Sequence, residues 1–358
     1  MKNNISKIFL TLLLLISTLF GITIKSGKVF ASEIKVTNQA SEIVMEVNSK
    51  RVLYQNNAYD RKYMASTTKI LTAICVIENC DVNDVVEIPE EATNIEGSSI
   101  YLKAGEKLTV KELLFGLMLR SGNDSATALA LHTSGTIKDF AELMNQTAKR
   151  IGAQDSNFVN PHGLHDDKHY TTAYDLGLIS CYAMKNDTFR EIVGAKSVKI
   201  SNEFYDYPRV LINKNKMLSL FEGSNGIKTG YTKKAGRCLV SSCIRNDMEL
   251  VCVVLSCPPM WERSMTLLSN CFNDYSYQKV LESDNIIDFN ENPPVKTITH
   301  AKKDVYLPLT KHEFETLRYE IEYFDNLNRA LTKDTPIGKI KFYTENNLIF
   351  EEKIYTII

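Results

Sequence analysis

Two periods of hydrophobicity alternate along this chain. Residues 42–47, EIVMEV, and 51–55, RVLYQ, are apolar or alternate around a polar NSK, the pattern of a β-hairpin. From Met64 to Ile77 apolar side chains fall nearly all round a helical period, which predicts a central helix buried on every side. Residues 106–135 read as two helices broken at Ser121-Gly122-Asn123. Thr109 and Glu112 have the spacing of a capping box for the first, and Asn123 or Asp124 is expected to cap the second. TIKDFAELMNQTAKRIG, residues 136–152, predicts an amphipathic helix closed by Gly152. Beyond Gly226 the period shortens to two. GIKTGYT, RCLVSSCI and ELVCVVLS read as strands, the last two joined through Asn246-Asp247, and a helix is expected from Trp261 to Leu281.

Hairpin first, helices next and strands last imply an α+β domain: an antiparallel sheet built from both ends of the domain, with a helical region inserted. The polar run SDNIIDFNENPP marks a linker over 283–294. It divides a main domain over 32–282 from a small β-rich domain over 295–358, where IGKIKFY alternates, TENN turns and LIFEEKIYTII returns. At the other end Lys2 and Lys7 precede the apolar run IFLTLLLLISTLFGITI, and VFAS follows. This is a signal peptide over 1–31 if cleavage follows Ala31, and an anchor helix if it does not. Both readings put the rest of the chain outside the cytoplasmic membrane, in the cell wall, secreted or held by the N-terminus.

Composition narrows the partners. The chain has 358 residues, is 44% apolar and carries a net charge of −1, so nothing favours nucleic acid or an anionic membrane surface. The eight cysteines are scattered without a CxxC pair, and buried small apolar residues are the favoured reading over disulfides. His162, His165 and His169, with Asp166, Asp167 and Asp175, admit two readings, a metal site or a structural loop; their spacing is not that of a zinc hydrolase.

Three short motifs carry chemistry. In YMASTTKILTA, Ser66 opens the buried helix and Lys69 follows at i+3, on the same face. A serine hydroxyl needs a base, and a buried lysine loses its proton readily enough to be one. Ser121-Gly122-Asn123 offers a hydroxyl and an amide in a break between helices. Lys228-Thr229-Gly230 offers a cation and a hydroxyl suited to a carboxylate, and a glycine that lets an extended peptide lie close.

In this order, on a helix start, an inter-helix turn and a strand, the three form the signature set of penicillin-binding proteins and class A β-lactamases. The chain resembles the low-molecular-mass penicillin-binding proteins, and among them the D-alanyl-D-alanine carboxypeptidases. MASTTKILTA, YLKAGEKLTVKELLFGLMLRSGNDSATALA, NPHGLHDDKHYTTAYDL and GIKTGYTKKAGRCLVSS carry that resemblance, and the β-rich tail resembles the family's C-terminal domain. It implies a β-lactamase/transpeptidase-like catalytic domain with no cofactor and no metal. The implied substrates are peptidoglycan stem peptides ending in D-Ala-D-Ala, and the implied inhibitors are β-lactam antibiotics. By the same resemblance Ser66 is the acyl-ester nucleophile, Lys69 its general base and Ser121 a proton relay to the leaving D-alanine. Asn123 binds the peptide, Lys228 and Thr229 hold the terminal carboxylate, and the backbone N–H groups of Ser66 and Tyr231 form the oxyanion hole. Arg263 is the candidate for a second contact to the carboxylate.

The middle motif is Ser-Gly-Asn, not the Ser-Asp-Asn of β-lactamases. The text ends at Ile358 after a strand, without the family's amphipathic helix, so membrane retention is expected to depend on the N-terminus alone. Two alternatives stand beside the carboxypeptidase. A class A-like β-lactamase needs a glutamate past the middle motif, and DSNFVNPHG has none. A non-catalytic peptidoglycan-binding protein would not need Ser66, Lys69 and Lys228 together.

Overall fold

The computed structural model describes residues 40–201, 204, 206–283, 299–324 and 332–356. The expected signal peptide over 1–31 and nearly all of the expected linker lie outside them.

The hairpin expected at the start is strand β1 (Ser41–Glu46) paired with β2 (Val52–Asn56). Helix α1 (Lys69–Asn79) continues a 3₁₀ turn at Ala65–Thr68. Next come α2 (Val110–Leu119), α3 (Asn123–Ser134) and α4 (Ile137–Ile151), then α5 (Ala173–Ala183) and α6 (Asp187–Gly194). Two short hairpins lie among them, β3 (Val85–Glu87) with β4 (Lys107–Thr109) and β5 (Ser197–Ile200) with β6 (Arg209–Ile212). Strands β7 (Ser224–Thr232), β8 (Gly236–Arg245) and β9 (Met248–Leu255) complete the sheet. Its order is β2-β1-β9-β8-β7, antiparallel throughout, so the two ends of the domain meet in the middle and β7 is an edge.

Local signals explain most of these boundaries. The Thr109–Glu112 capping box opens α2, and Gly152 ends α4 at φ +106°. Asn246 and Asp247 both have positive φ, as a two-residue hairpin turn between twisted strands requires. Neither Asn123 nor Asp124 caps α3, however. Gly122 holds the cap position without a side-chain bond, because both polar side chains are drawn away from the helix end, Asn123 to Lys69 and Asp124 to the amide of Ile100.

Alternation along the strands sorts the sheet's two faces. Ile43, Met45, Val240, Val251 and Val253 join one core with the apolar residues of α1 to α6. Val44, Leu239, Cys252 and Val254 face the other way, against Leu267, Leu268 and Cys271 of α7 (Met260–Asp274). All eight cysteines are free, and seven are buried.

The helix expected to run to Leu281 stops at Asp274, and Ser276–Leu281 is strand β10 instead. Its partner decides this. β10 pairs with β12 (Val305–Leu309), which follows β11 (Thr299–His300) in the small domain. The boundary drawn at 282 therefore falls too late: the small domain takes its first strand from before the polar run. A short helix, α8 (Lys311–Glu315), leads to β13 (Arg318–Tyr323), β14 (Pro336–Thr344) and β15 (Asn347–Thr356), in a sheet of order β11-β15-β14-β13. Val305, Leu307, Ile340, Phe342 and Ile354 form its separate core.

The two domains also share polar contacts. Arg51, beside β2, pairs with Glu313 of α8 and donates to the Pro308 carbonyl. Tyr277 of β10 accepts from Asn48 at 3.1 Å and donates to Glu46 at 3.3 Å. Arg51 and Glu313 are largely buried, so Arg51→Ala strands a carboxylate and is expected to cost about 3 kcal/mol in urea unfolding. An unchanged midpoint would mean that the Arg51–Glu313 pair adds nothing to stability.

Candidate active site

The 3₁₀ turn at Ala65–Thr68 sits on the face of β7. A Cβ added to Gly230 would lie 3.1 Å from the Ser66 and Thr67 nitrogens, which is why that strand position has no side chain. The turn aims Ser66 toward α1, where Lys69 is completely buried. Lys69 Nζ lies 3.0 Å from Ser66 Oγ, 2.7 Å from Asn123 Oδ1 and 2.6 Å from the His162 carbonyl oxygen.

Asn123 is fixed from its other side. Its Nδ2 donates to the Glu96 carbonyl at 2.5 Å, so Oδ1 is the atom turned to Lys69, and its backbone N–H donates to Ser98 O at 2.7 Å. Asp124 holds the same wall: its carboxylate accepts from Ser99 Oγ at 2.5 Å and from the amides of Ile100, Leu102 and Ser125. Ser121 stands in the turn at φ +64°, buried, with no hydrogen-bond partner among the described residues.

Electrostatics follow from burial. Desolvation, then the charge of Lys228, hold Lys69 well below the ordinary lysine range; Asp124 opposes this and Lys214 adds to it. Lys228 is 1% exposed and, among the described residues, donates only to the Thr229 carbonyl, at 3.1 Å. Burial, then Lys214, lower it to about 7. Lys214 is the residue that the sequence reading missed. It lies on the connection between β6 and β7, its N–H donates to Leu119 O at 3.1 Å, and its Nζ reaches Ser98 Oγ at 3.1 Å. Nothing in INKNK marks it, because its place depends on a loop more than a hundred residues away.

Of the expected residues, the fold gathers Ser66, Lys69, Asn123, Lys228 and Gly230. Thr229 is half-buried beside Lys228, and Tyr231 is exposed on the same strand. Arg263 does not join them. On α7, on the opposite face of the sheet, its Nε and Nη2 each donate to the buried Glu42 at 2.7 Å, and Nη2 also lies 2.8 Å from Tyr54. Paired to Glu42 on that face, it lies across the sheet from Lys69 and Lys228 and does not reach their site. Among the described residues no group of three His, Cys, Asp or Glu stands close enough to hold a metal ion.

This geometry can activate a hydroxyl beside two further cations. The family pattern for D-alanyl-D-alanine carboxypeptidases matches residues 28–258. The chain belongs to the D-alanyl-D-alanine carboxypeptidase family. A second pattern, for the C-terminal domain of penicillin-binding protein 5, matches residues 275–357 and begins just before β10. The chain is 28% identical to the carboxypeptidase DacF of Bacillus subtilis, over 88% of this chain and 84% of that one. It is 29% identical to DacA of Haemophilus influenzae, over 84% and 79%. Penicillin-binding protein 5 of Haemophilus influenzae superposes with a TM-score of 0.74 at 26% identity, over 88% of this chain and 96% of that one. The protein is a serine-type D-Ala-D-Ala carboxypeptidase that acts on peptidoglycan stem peptides.

Proposed function

We propose that Ser66 is the nucleophile and Lys69 its base, and that the enzyme removes the terminal D-alanine from stem peptides through an ester on Ser66. One observation carries this reading: the partners of Lys69. A neutral amine has two N–H groups and one lone pair. Asn123 Oδ1 and the His162 carbonyl can only accept, so they take the two N–H groups, and the lone pair is left for the hydroxyl 3.0 Å away.

In acylation, Ser66 Oγ bonds to the penultimate carbonyl carbon while its proton passes to Lys69. The C–N bond then breaks, and the D-alanine nitrogen takes the proton through Ser121. The Ser66 and Tyr231 amides would steady the oxyanion. In deacylation, water attacks the ester carbon, the C–O bond breaks and a proton returns to Ser66. Asn123 would hold the peptide, and Lys228 and Thr229 the terminal carboxylate, with Lys214 in the part once expected of Arg263. Penicillins would acylate the same hydroxyl. The apolar N-terminal run supports action outside the cytoplasmic membrane. Incubation of the purified protein with a pentapeptide ending in D-Ala-D-Ala should release free D-alanine, and Ser66→Ala should release none. Equal release by both would place the nucleophile elsewhere.

The buried lysines give this reading a pH signature. Lys228 must be charged to receive a carboxylate, and in the free enzyme it keeps its proton only below about 7. Its folded value is depressed, so the useful charge is lost as pH rises through 7, and kcat/KM should fall on that limb. A bound carboxylate favours the charged form, so the limb in kcat should lie at higher pH. Lys214→Ala removes the repulsion that lowers Lys228. It should shift the kcat/KM limb upward while raising KM. A pH–rate profile unchanged in both respects would exclude Lys214 from the carboxylate site.

A further inference from the structure

The histidine-rich loop that follows α4 enters the chemistry above only through the His162 carbonyl, yet it also touches the turn that carries the nucleophile. Ala65, just before Ser66, has φ +48°, a left-handed conformation that residues with a Cβ rarely hold without support. Its carbonyl oxygen accepts from Thr68 Oγ1 at 2.8 Å, and the same Thr68 oxygen lies 2.8 Å from His169 Nε2. On the far side of the ring, Nδ1 accepts the Val159 N–H at 3.1 Å. That bond settles the tautomer. With Nδ1 an acceptor, the proton sits on Nε2 and points at Thr68, whose own proton is then committed to Ala65.

From these contacts we infer that His169 is a positioning residue: through Thr68 it holds the Ala65 carbonyl, and so the left-handed turn that presents Ser66 to Lys69. The inference rests on the reading of Ser66 as nucleophile. The ring itself is held. It is 2% exposed and packs edge-on against Phe158 at 5.7 Å. Burial keeps it neutral, with its pKa pushed down to about 4, as the chain of donors requires.

The rest of the loop closes on the same turn. Gly163, at φ +86°, lies so close to Ala65 that a Cβ would overlap the Ala65 carbonyl and come within 2.9 Å of Thr68 Oγ1. Its N–H is tied to Asn160 Oδ1 at 2.7 Å. The preceding carbonyls serve α1: His162 O receives Lys69 and Pro161 O receives Thr72 at 2.7 Å. One loop thus sets the nucleophile through Ala65 and the base through His162. The motif that reads in sequence as a metal site or a bland loop works as a clamp.

Substitutions at Thr68 and His169 test this, with acylation by a fluorescent penicillin and D-alanine release as readouts. Thr68→Val keeps the shape and breaks the relay. It should slow the acylation step and kcat by about 10- to 100-fold, the scale of a displaced reacting group, while KM for the peptide changes little. Thr68→Ser and His169→Gln, which keep the donors, should recover most of the rate. The double variant Thr68→Val/His169→Leu should be no slower than Thr68→Val alone, because both break one chain. Should the His169 variants not fold, the Thr68→Val and Thr68→Ser pair decides. Folded Thr68→Val that acylates at the native rate, raises only KM, or is not rescued by Thr68→Ser overturns the clamp and leaves the nucleophile untouched. A native enzyme whose penicillin adduct maps away from Ser66 overturns both.

Discussion

Lys69→Ala is expected to lose acylation almost completely while keeping its fold. General-base catalysis is typically worth 10²- to 10⁴-fold, roughly 3 to 5 kcal/mol of barrier, and no neighbour can supply it instead. Lys228 donates to the Thr229 carbonyl and is asked to hold charge, not to take a proton. His162 is neutral, since burial and then Lys69 push it down to about 3, but its Nδ1 already accepts the Leu164 N–H at 3.2 Å. Asp124 is buried and spends its oxygens on Ser99 and three backbone amides. The alanine variant leaves Asn123 Oδ1 and the His162 carbonyl unpaired, which costs stability of its own. Lys69→Met, which fills the space, separates that effect from catalysis. Both variants should label with fluorescent penicillin at least about 10²-fold more slowly than the native enzyme. Near-native labelling of either, with unfolding transitions intact, would mean that the base is not Lys69.

What could be read from the chain follows from how local each signal is. Ser66 and Lys69 are three apart, across the 3₁₀ turn that leads into α1, so their nearness is written locally even though the turn's shape is not. The Thr109–Glu112 box and the Asn246-Asp247 turn are likewise written within four residues, and both appear in the structure as drawn. The order of the three motifs carried the family, and the family carried the sheet. Failures cluster where a residue's role depends on a distant partner. Arg263 looked free for a carboxylate because Glu42, its partner, lies 221 residues earlier, in the first strand of the hairpin. SYQKVL passed for the end of a helix because its strand partner lies beyond the polar run. Lys214 and His169 gave no local sign of their work, since Ser98 and Thr68 are reached only after folding. Asn123 fits a helix cap by composition, but burial beside Lys69 offers its amide two stronger claims than the helix end.

The lifetime of the acyl-enzyme should differ sharply between peptide and penicillin. When a D-Ala-D-Ala peptide acylates Ser66, free D-alanine leaves and water can enter along its path. A penicillin keeps its leaving amine tethered through the opened ring, over the same path. Rapid hydrolysis of that ester then needs a second base to draw in water from another side, which class A β-lactamases supply with a glutamate. The corresponding stretch in this chain, residues 155–163, holds no glutamate, and its Asp155 is turned away to pair with the exposed Arg61 at 3.3 Å. The carbonyls of Pro161 and His162 that line the site are occupied by Thr72 and Lys69. Asp124 is already saturated by the loop that it pins. Intact-mass measurement after a brief penicillin exposure should therefore show one stoichiometric adduct that persists for many minutes and maps to the peptide containing Ser66, while the same enzyme turns over the pentapeptide steadily. Ser66→Ala should carry no adduct. Fast catalytic loss of penicillin with no adduct accumulating would require a water-activating group that none of these contacts provides, and would overturn the tethered-amine explanation of slow deacylation.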